Sequence, residues 1–292
     1  MPPEPTTLHA LLAEGQCALA AGPYSHHARQ DAETLLLHVL ASNDPTRNRA
    51  WLLAHSDFSI TPEVAAEYGT LIRRRFTGEP IQYITGETEF YGLPFHVTGD
   101  VLIPRPETEH LVEKVIALAA RFHAPRVVDV GVGSGAIAVA LADNLPQASI
   151  TATDLSVPAL TLAQRNSQLN GIANSIRFLA GDLLAPVTGE QFEIVVSNPP
   201  YVPASDRASL AVEVREYEPS EALFAGPDGL DVYRRLIPQA FAMLVPGGFL
   251  ALEIGHGQQE EIRDLLTTSG FRDIEFTPDL QGIPRVAAAQ HS

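Results

Sequence analysis

At 292 residues, 45% of them hydrophobic, the chain has room for one large domain or two and enough apolar side chain for a proper core. Its formal charge of -16 offers no long-range attraction to nucleic acid or to an anionic membrane. A single cysteine, Cys17, excludes an internal disulfide and any multi-cysteine zinc site.

The start, Met1 to Ala10, carries neither the basic stretch nor the apolar stretch of a secretory leader. No uninterrupted apolar run is long enough to span a bilayer, so a cytoplasmic protein without membrane contact is expected. The first helix is predicted from the face Leu8, Leu11, Leu12, Gly15 and Leu19, and it ends at Gly22-Pro23. A second runs from about Arg29 to Ala41 with Ala32, Leu35, Leu36, Val39 and Leu40 inward, and Ser42-Asn43-Asp44-Pro45 stops it. A short third surrounds Trp51 to Ala54. The fourth opens at Thr61-Pro62-Glu63, an N-cap followed by proline and an acid, and turns Val64, Tyr68, Leu71, Ile72 and Arg75 inward. The basic run Arg73-Arg74-Arg75 otherwise reads as a solvated helix face. Residues 1–77 thus form a small helical bundle without a catalytic constellation, which suits a recognition module.

Gly78-Glu79-Pro80 breaks the helical pattern. Residues 78–101 change to aromatic and β-branched texture (Tyr83, Ile84, Phe90, Tyr91, Phe95, Val97), predicting a β-hairpin that links two domains. Ile103-Pro104-Arg105-Pro106-Glu107-Thr108-Glu109 then opens an amphipathic helix to about Arg121. Pro106 and the two acids suit a helix start, which leaves Arg105 without a role.

Residues 102–292 alternate strands and helices, the pattern of an α/β domain with a mostly parallel sheet. The predicted strands are Val127–Val130, Ile150–Thr153, Ile176–Ala180, Phe192–Val196, Phe249–Ile254, about Ile274–Thr277, and Arg285–Ala288. Helices are expected over Ala136–Asp143, Val157–Asn170, about Leu230–Leu244 and Gln258–Thr268, with a long loop between Tyr201 and Leu230.

Three strands end in acids. Asp129 leads into Gly131-Val132-Gly133-Ser134-Gly135, a loop whose glycines let backbone approach a ligand closely at a helix start. Asp154 ends the next strand, where a carboxylate can accept both ribose hydroxyls. Asp182, with Leu183 beside it, ends the third and can accept from an adenine amino group. The loop lacks the G-x-G-x-x-G spacing of pyrophosphate binders, which favours S-adenosylmethionine as the ligand.

The fourth strand delivers Asn198-Pro199-Pro200-Tyr201 to the same edge. The prolines fix the backbone and lack N–H groups, so carbonyl acceptors stand rigid beside the Asn198 amide oxygen, and Tyr201 adds a flat ring. Asn-Pro and Pro-Pro also make ordinary turns. Beside a methyl donor, however, the corner can grip a planar –NH2 group, with the Asn198 side chain and the Pro199 carbonyl as the catalytic pair. His96, His256 and the His26-His27 pair show no ligand spacing, and no metal is expected.

Taken together these residues resemble the class I S-adenosylmethionine-dependent methyltransferases, and more narrowly the HemK/PrmC family of release factor glutamine methyltransferases. The resemblance rests on Gly78 to Gly86, Phe90 to Leu93, Leu102 to Glu109, the glycine loop, Ser197 to Tyr201, Tyr217 to Pro219, Gly226 to Leu230, Leu252 to Gly255, Asp279-Leu280 and Arg285-Val286. It implies a Rossmann-like, mostly parallel seven-stranded sheet with a small all-helical N-terminal domain joined by a β-hairpin. It further implies donor binding by Gly131 to Gly135, Asp154, Asp182, Leu183 and Asn198, and glutamine binding by Asn198, Pro199, Pro200 and Tyr201. Arg105 and Glu107 would flank the pocket, and the helical part would grip a release factor. Val132 departs from the threonine the family often has there, and a modestly weaker donor contact is the expectation. Three other readings stay open: a ribosomal-protein glutamine methyltransferase, a nucleic-acid adenine N6-methyltransferase, which would want a basic groove, and a non-enzymatic nucleotide-binding scaffold.

Overall fold

A computed structural model describes residues 6–42 and 44–292. Met1 to Pro5 and Asn43, which belong to the leader and helix-stop readings above, lie outside them. The chain divides into two compact units: one takes in the chain up to Gly86 together with Leu210–Tyr217, the other Glu87–Ser209 and Glu218–Ser292.

The first unit is helical. Helix α1 (Leu8–Ala20) starts where the Thr7 hydroxyl accepts from the Ala10 N–H, and it packs through Leu8, Leu11, Gly15 and Leu19. Gly15 is required by packing, since a Cβ there would lie 2.0 Å from the Tyr68 hydroxyl oxygen. Helix α2 (Ala28–Ala41) and the short α3 (Arg49–Ala54) follow. Helix α4 (Pro62–Phe76) has the N-cap Thr61 and the proline at its start that the sequence predicts. The basic run at its end does not lie wholly in solvent. Arg75 is buried, and its Nε donates to Asp31 of α2 at 2.6 Å. Such a pair holds two helices in one register, because neither charge tolerates burial alone.

The predicted hairpin is shorter than its sequence texture suggests. Ile81–Thr85 form helix α5, closed by Gly86 in the left-handed conformation. Ile84 is buried in the helical core and Ile81 packs against it, so burial on a helix face overrides β propensity here. Only β1 (Glu87–Phe90) and β2 (Leu93–His96) make the hairpin. Tyr91 and Gly92 at its turn both have positive φ, which matches the right-handed twist of the two strands.

In the second unit, Pro106–Thr108 make one tight 3-10 turn and α6 (Glu109–Ala119) continues from it. The sheet elements then follow as β3 (Arg126–Val130), α7 (Ala136–Asn144), β4 (Ser149–Asp154), α8 (Val157–Leu169), β5 (Ile176–Ala180) and β6 (Phe192–Ser197). The stretch predicted as one long loop contains α9 (Val212–Tyr217), which belongs to the helical unit. Its Glu213 carboxylate accepts from Arg75 at 3.1 Å, and its Tyr217 hydroxyl lies 2.7 Å from that of Thr77. Six residues without apolar periodicity leave no trace a helix search could find. The chain ends with α10 (Asp231–Met243), β7 (Leu244–Glu253), α11 (Gln259–Thr268), β8 (Arg272–Pro278) and β9 (Pro284–Gln290).

The seven-stranded sheet has the order β5-β4-β3-β6-β7-β9-β8, and only β9 runs against the rest. Alternate residues face opposite layers: Val127, Ile194 and Val196 pack with α6 and α7, while Val128, Val130 and Val195 pack with α10. Strand β3 sits centrally, with β4 on one side and β6 on the other. The strand order reverses there, which opens a crevice at the carboxyl ends of these strands.

Candidate active site

That crevice is a cleft of about 510 Å³ lined by the glycine loop, Asp154, Asp182, Leu183, Asn198, Pro200, Arg105 and Thr108. The loop after β3 is shaped by backbone. The N–H groups of Gly131 and Val132 both donate to the Thr153 carbonyl, at 2.9 and 3.0 Å. Gly131 and Gly133 have φ of +75° and +54°, and a Cβ on either would meet no atom within 4 Å. Both are therefore needed for conformation, and the free space beside them belongs to the cleft. Gly135 is different: it does not line the cleft, and a Cβ there would press on Ala163 of α8 at 3.1 Å. Val132 is buried in the apolar cluster beneath the loop, so its methyl groups serve packing.

The three predicted acids occupy three environments. Asp129 is fully buried; its Oδ2 accepts from the Ala138 N–H at 3.1 Å, while Oδ1 has no partner among the described residues. Burial pushes its carboxyl up to about 7. Asp154 accepts from the Gly133 N–H at 2.9 Å and the Ser156 N–H at 2.8 Å, one on each oxygen, so it braces the loop while lining the cleft. Asp182 is ion-paired with Arg235 at the cleft rim.

The Asn198 corner is held from below. Ser197 donates to the Val130 carbonyl at 2.6 Å, tying the end of β6 to β3. Asn198 Nδ2 donates to the Thr108 hydroxyl at 3.2 Å, and Thr108 in turn donates to Glu253 Oε2 at 2.6 Å. Tyr201, which the sequence places at the corner, does not line the cleft. Its hydroxyl donates to the other oxygen of Glu253 at 3.3 Å. Burial raises the Glu253 carboxyl, while the two hydroxyls oppose that rise. Burial likewise raises the Tyr201 phenol. The Asn198 amide oxygen is buried and has no hydrogen-bond partner among the described residues. Arg105 Nη2 meets both carboxylate oxygens of Glu218, at 2.6 and 2.7 Å.

Thr108, Glu253, Glu218 and Arg235 carry no assigned role in the sequence reading. Glu253 had a usable signal, because a carboxylate closes the apolar run Phe249 to Leu252 just as Asp154 closes its strand. The others meet their partners only across long chain separations.

The sequence profile of the PrmC N-terminal domain matches residues 10–86, and that of the methyltransferase small domain matches residues 107–215. The first match ends where the contacts place the edge of the helical unit. The release factor glutamine methyltransferase of Geobacter sulfurreducens is 43% identical over 264 residues, 90% of each chain. That of Moorella thermoacetica is 42% identical over 96% of each chain. The chain belongs to the release factor glutamine methyltransferase family. Among solved structures, the hMettl16 catalytic domain in complex with the MAT2A 3'UTR hairpin 6 superposes with a TM-score of 0.57. It is 17% identical and the match covers 88% of this chain and 92% of that one, a likeness of fold. Family membership makes the strand-end cleft the expected place for methyl transfer. No helix among the described residues is long and apolar enough to cross a membrane.

Proposed function

We propose that the chain transfers a methyl group from S-adenosylmethionine to the side-chain amide nitrogen, N5, of the glutamine in the Gly-Gly-Gln motif of peptide-chain release factors. The observation that carries this reading is the unpartnered amide oxygen of Asn198, a buried acceptor on a residue that lines the cleft. A buried acceptor without a donor is costly in a folded protein, and a substrate –NH2 would satisfy it. In this reading the second acceptor is the carbonyl of Pro199, a buried residue that does not itself line the cleft, so that each amide hydrogen has one acceptor.

An amide nitrogen is a weak nucleophile because its lone pair is shared with the carbonyl. Two fixed acceptors orient that nitrogen and stabilise positive charge as it grows there, so catalysis is positioning and electrostatics. The proton leaves readily once the nitrogen is methylated, and no strong base is required before that. S-adenosylmethionine, when bound, supplies the methyl group. The loop Gly131 to Ser134, Asp154, Asp182 and Leu183 would hold it, and the room beside Gly131 and Gly133 suits close approach of such a ligand.

Residues up to Gly86, with Leu210–Tyr217, form a compact helical body that we assign to release-factor recognition. A nucleic-acid amino group would fit the same pair of acceptors, but the chain's charge of -16 works against phosphate binding. Mass spectrometry of release factors incubated with the protein and S-adenosylmethionine tests the reading. One added methyl on the Gly-Gly-Gln glutamine is expected. An unmodified peptide, with donor binding demonstrated, would remove the release factor as substrate.

A further inference from the structure

An asparagine side chain presents either of two nearly isosteric ends. With oxygen toward the cleft it accepts from a substrate –NH2; with its own –NH2 there it repels one. The shape of Asn198 does not choose between them, and the choice lies in its partner. We propose that Thr108 is a positioning residue that sets the direction of the Asn198 amide, and that Glu253 sets the direction of Thr108. The proposal rests on the functional reading above, since it concerns the same acceptor.

A threonine hydroxyl has one hydrogen to donate and lone pairs to offer. An ionised carboxylate only accepts. With Glu253 ionised, its Oε2, 2.6 Å from the Thr108 oxygen, takes that single hydrogen. The other Glu253 oxygen is engaged by the Tyr201 hydroxyl at 3.3 Å. Thr108 then has only lone pairs for Asn198, and the amide must turn its Nδ2 to it, at 3.2 Å. The oxygen is thereby directed away from Thr108, and it is the atom left without a partner among the described residues. Thr108 and Glu253 are themselves buried, so water competes poorly for these bonds. Glu253 is anchored in turn, because its backbone carbonyl accepts from the buried Tyr233 hydroxyl at 2.7 Å. Turning the amide over would set its oxygen against a hydroxyl with no hydrogen left to give.

The test compares wild type, Thr108→Val and Thr108→Ser by two readouts. Valine keeps the shape and removes the hydroxyl; serine keeps the hydroxyl. In steady-state methyl transfer to a release factor, Thr108→Val is expected to lower kcat by roughly 10- to 100-fold, less than the loss of a preorganised contact itself because Thr108 acts through Asn198. KM for the methyl donor should stay within about twofold, and Thr108→Ser should recover kcat to within about threefold of wild type. The second readout needs no turnover. The side-chain –NH2 resonances of Asn198, identified by their loss in Asn198→Ala, should exchange slowly with water in wild type and Thr108→Ser. They should exchange faster in Thr108→Val. Unchanged resonances in Thr108→Val, a kcat within about twofold of wild type, or equal loss in the serine variant would overturn the proposal. If wild-type protein transfers no methyl, the functional reading fails instead, and the amide resonances still decide the orientation.

Discussion

Arg105 Nη2 lies 2.6 and 2.7 Å from the two carboxylate oxygens of Glu218, whose side chain is 1% exposed while that of Arg105 is 33% exposed. The arginine that has no role as a helix-start residue is therefore the counter-ion of a buried carboxylate. Arg105→Ala should cost about 1–3 kcal/mol, below the usual figure for a broken buried pair because Arg105 remains partly in water. Glu218→Gln in that background should recover part of the loss. A double-mutant cycle on denaturant unfolding measures the coupling, and additive effects would show that the pair contributes nothing.

Asn198→Ala removes the acceptor and leaves the glycine loop untouched. Methyl transfer is expected to fall by about 100-fold or more, with donor affinity changed less than about threefold. Calorimetric titration with S-adenosylmethionine beside the transfer assay separates the two. Equal loss of both would mean that the corner serves structure alone.

Gly133→Ala and Gly135→Ala should part company. Both positions have positive φ, so each costs about 1–2 kcal/mol in backbone strain. At Gly133 the methyl group also enters the cleft, and donor affinity should drop. At Gly135 it presses on Ala163, so thermal stability should drop with the smaller effect on donor binding. Paired melting and titration data check this, and identical profiles for the two variants would refute it.

Asp129 gives a pH dependence of known sign. Its carboxyl is raised by burial from 3.8 to about 7, so the folded state holds a proton that the unfolded state has lost across that window. Its contribution is present at the acid end and is lost as pH rises toward 7. The stability of wild type relative to Asp129→Asn should therefore decline from about pH 4 to 7. Denaturant melts of both proteins across that range measure it, and a flat difference would mean that Asp129 titrates normally.

In the helical unit, Arg75→Ala leaves Asp31 buried without its partner, and a loss of about 3–5 kcal/mol is expected. Hydrogen exchange should rise across α2 and α4 together, and in α9, whose Glu213 also bonds Arg75. Faster exchange confined to α4 would argue against the pair as the clasp of the bundle.

Much of the fold and the outline of the cleft are written in local sequence. The helix start at Thr61-Pro62, the strand endings at Asp129, Asp154 and Asp182, the glycine loop and the Asn198-Pro199-Pro200-Tyr201 corner all follow from short-range chemistry. Backbone dihedrals, caps and two-residue alternation act within a few positions, so the order of residues by itself determines them. The conformational limits of glycine and proline likewise place acceptors at a strand end from the sequence alone. Only the tertiary structure decided what those groups face. The helix at Ile81–Thr85, where the residues favour a strand, exists because Ile84 is buried in the helical core. The run Leu210–Tyr217 joins the helical unit because Glu213 meets Arg75, 138 positions away. The direction of the Asn198 amide is set by Thr108 and Glu253, through two bonds that span 90 and 145 positions of the chain. A hydrogen bond between distant positions has no signature in either local stretch. It becomes physical only when the sheet brings the ends of β6 and β7 beside the turn before α6, and burial then leaves each proton a single place to go.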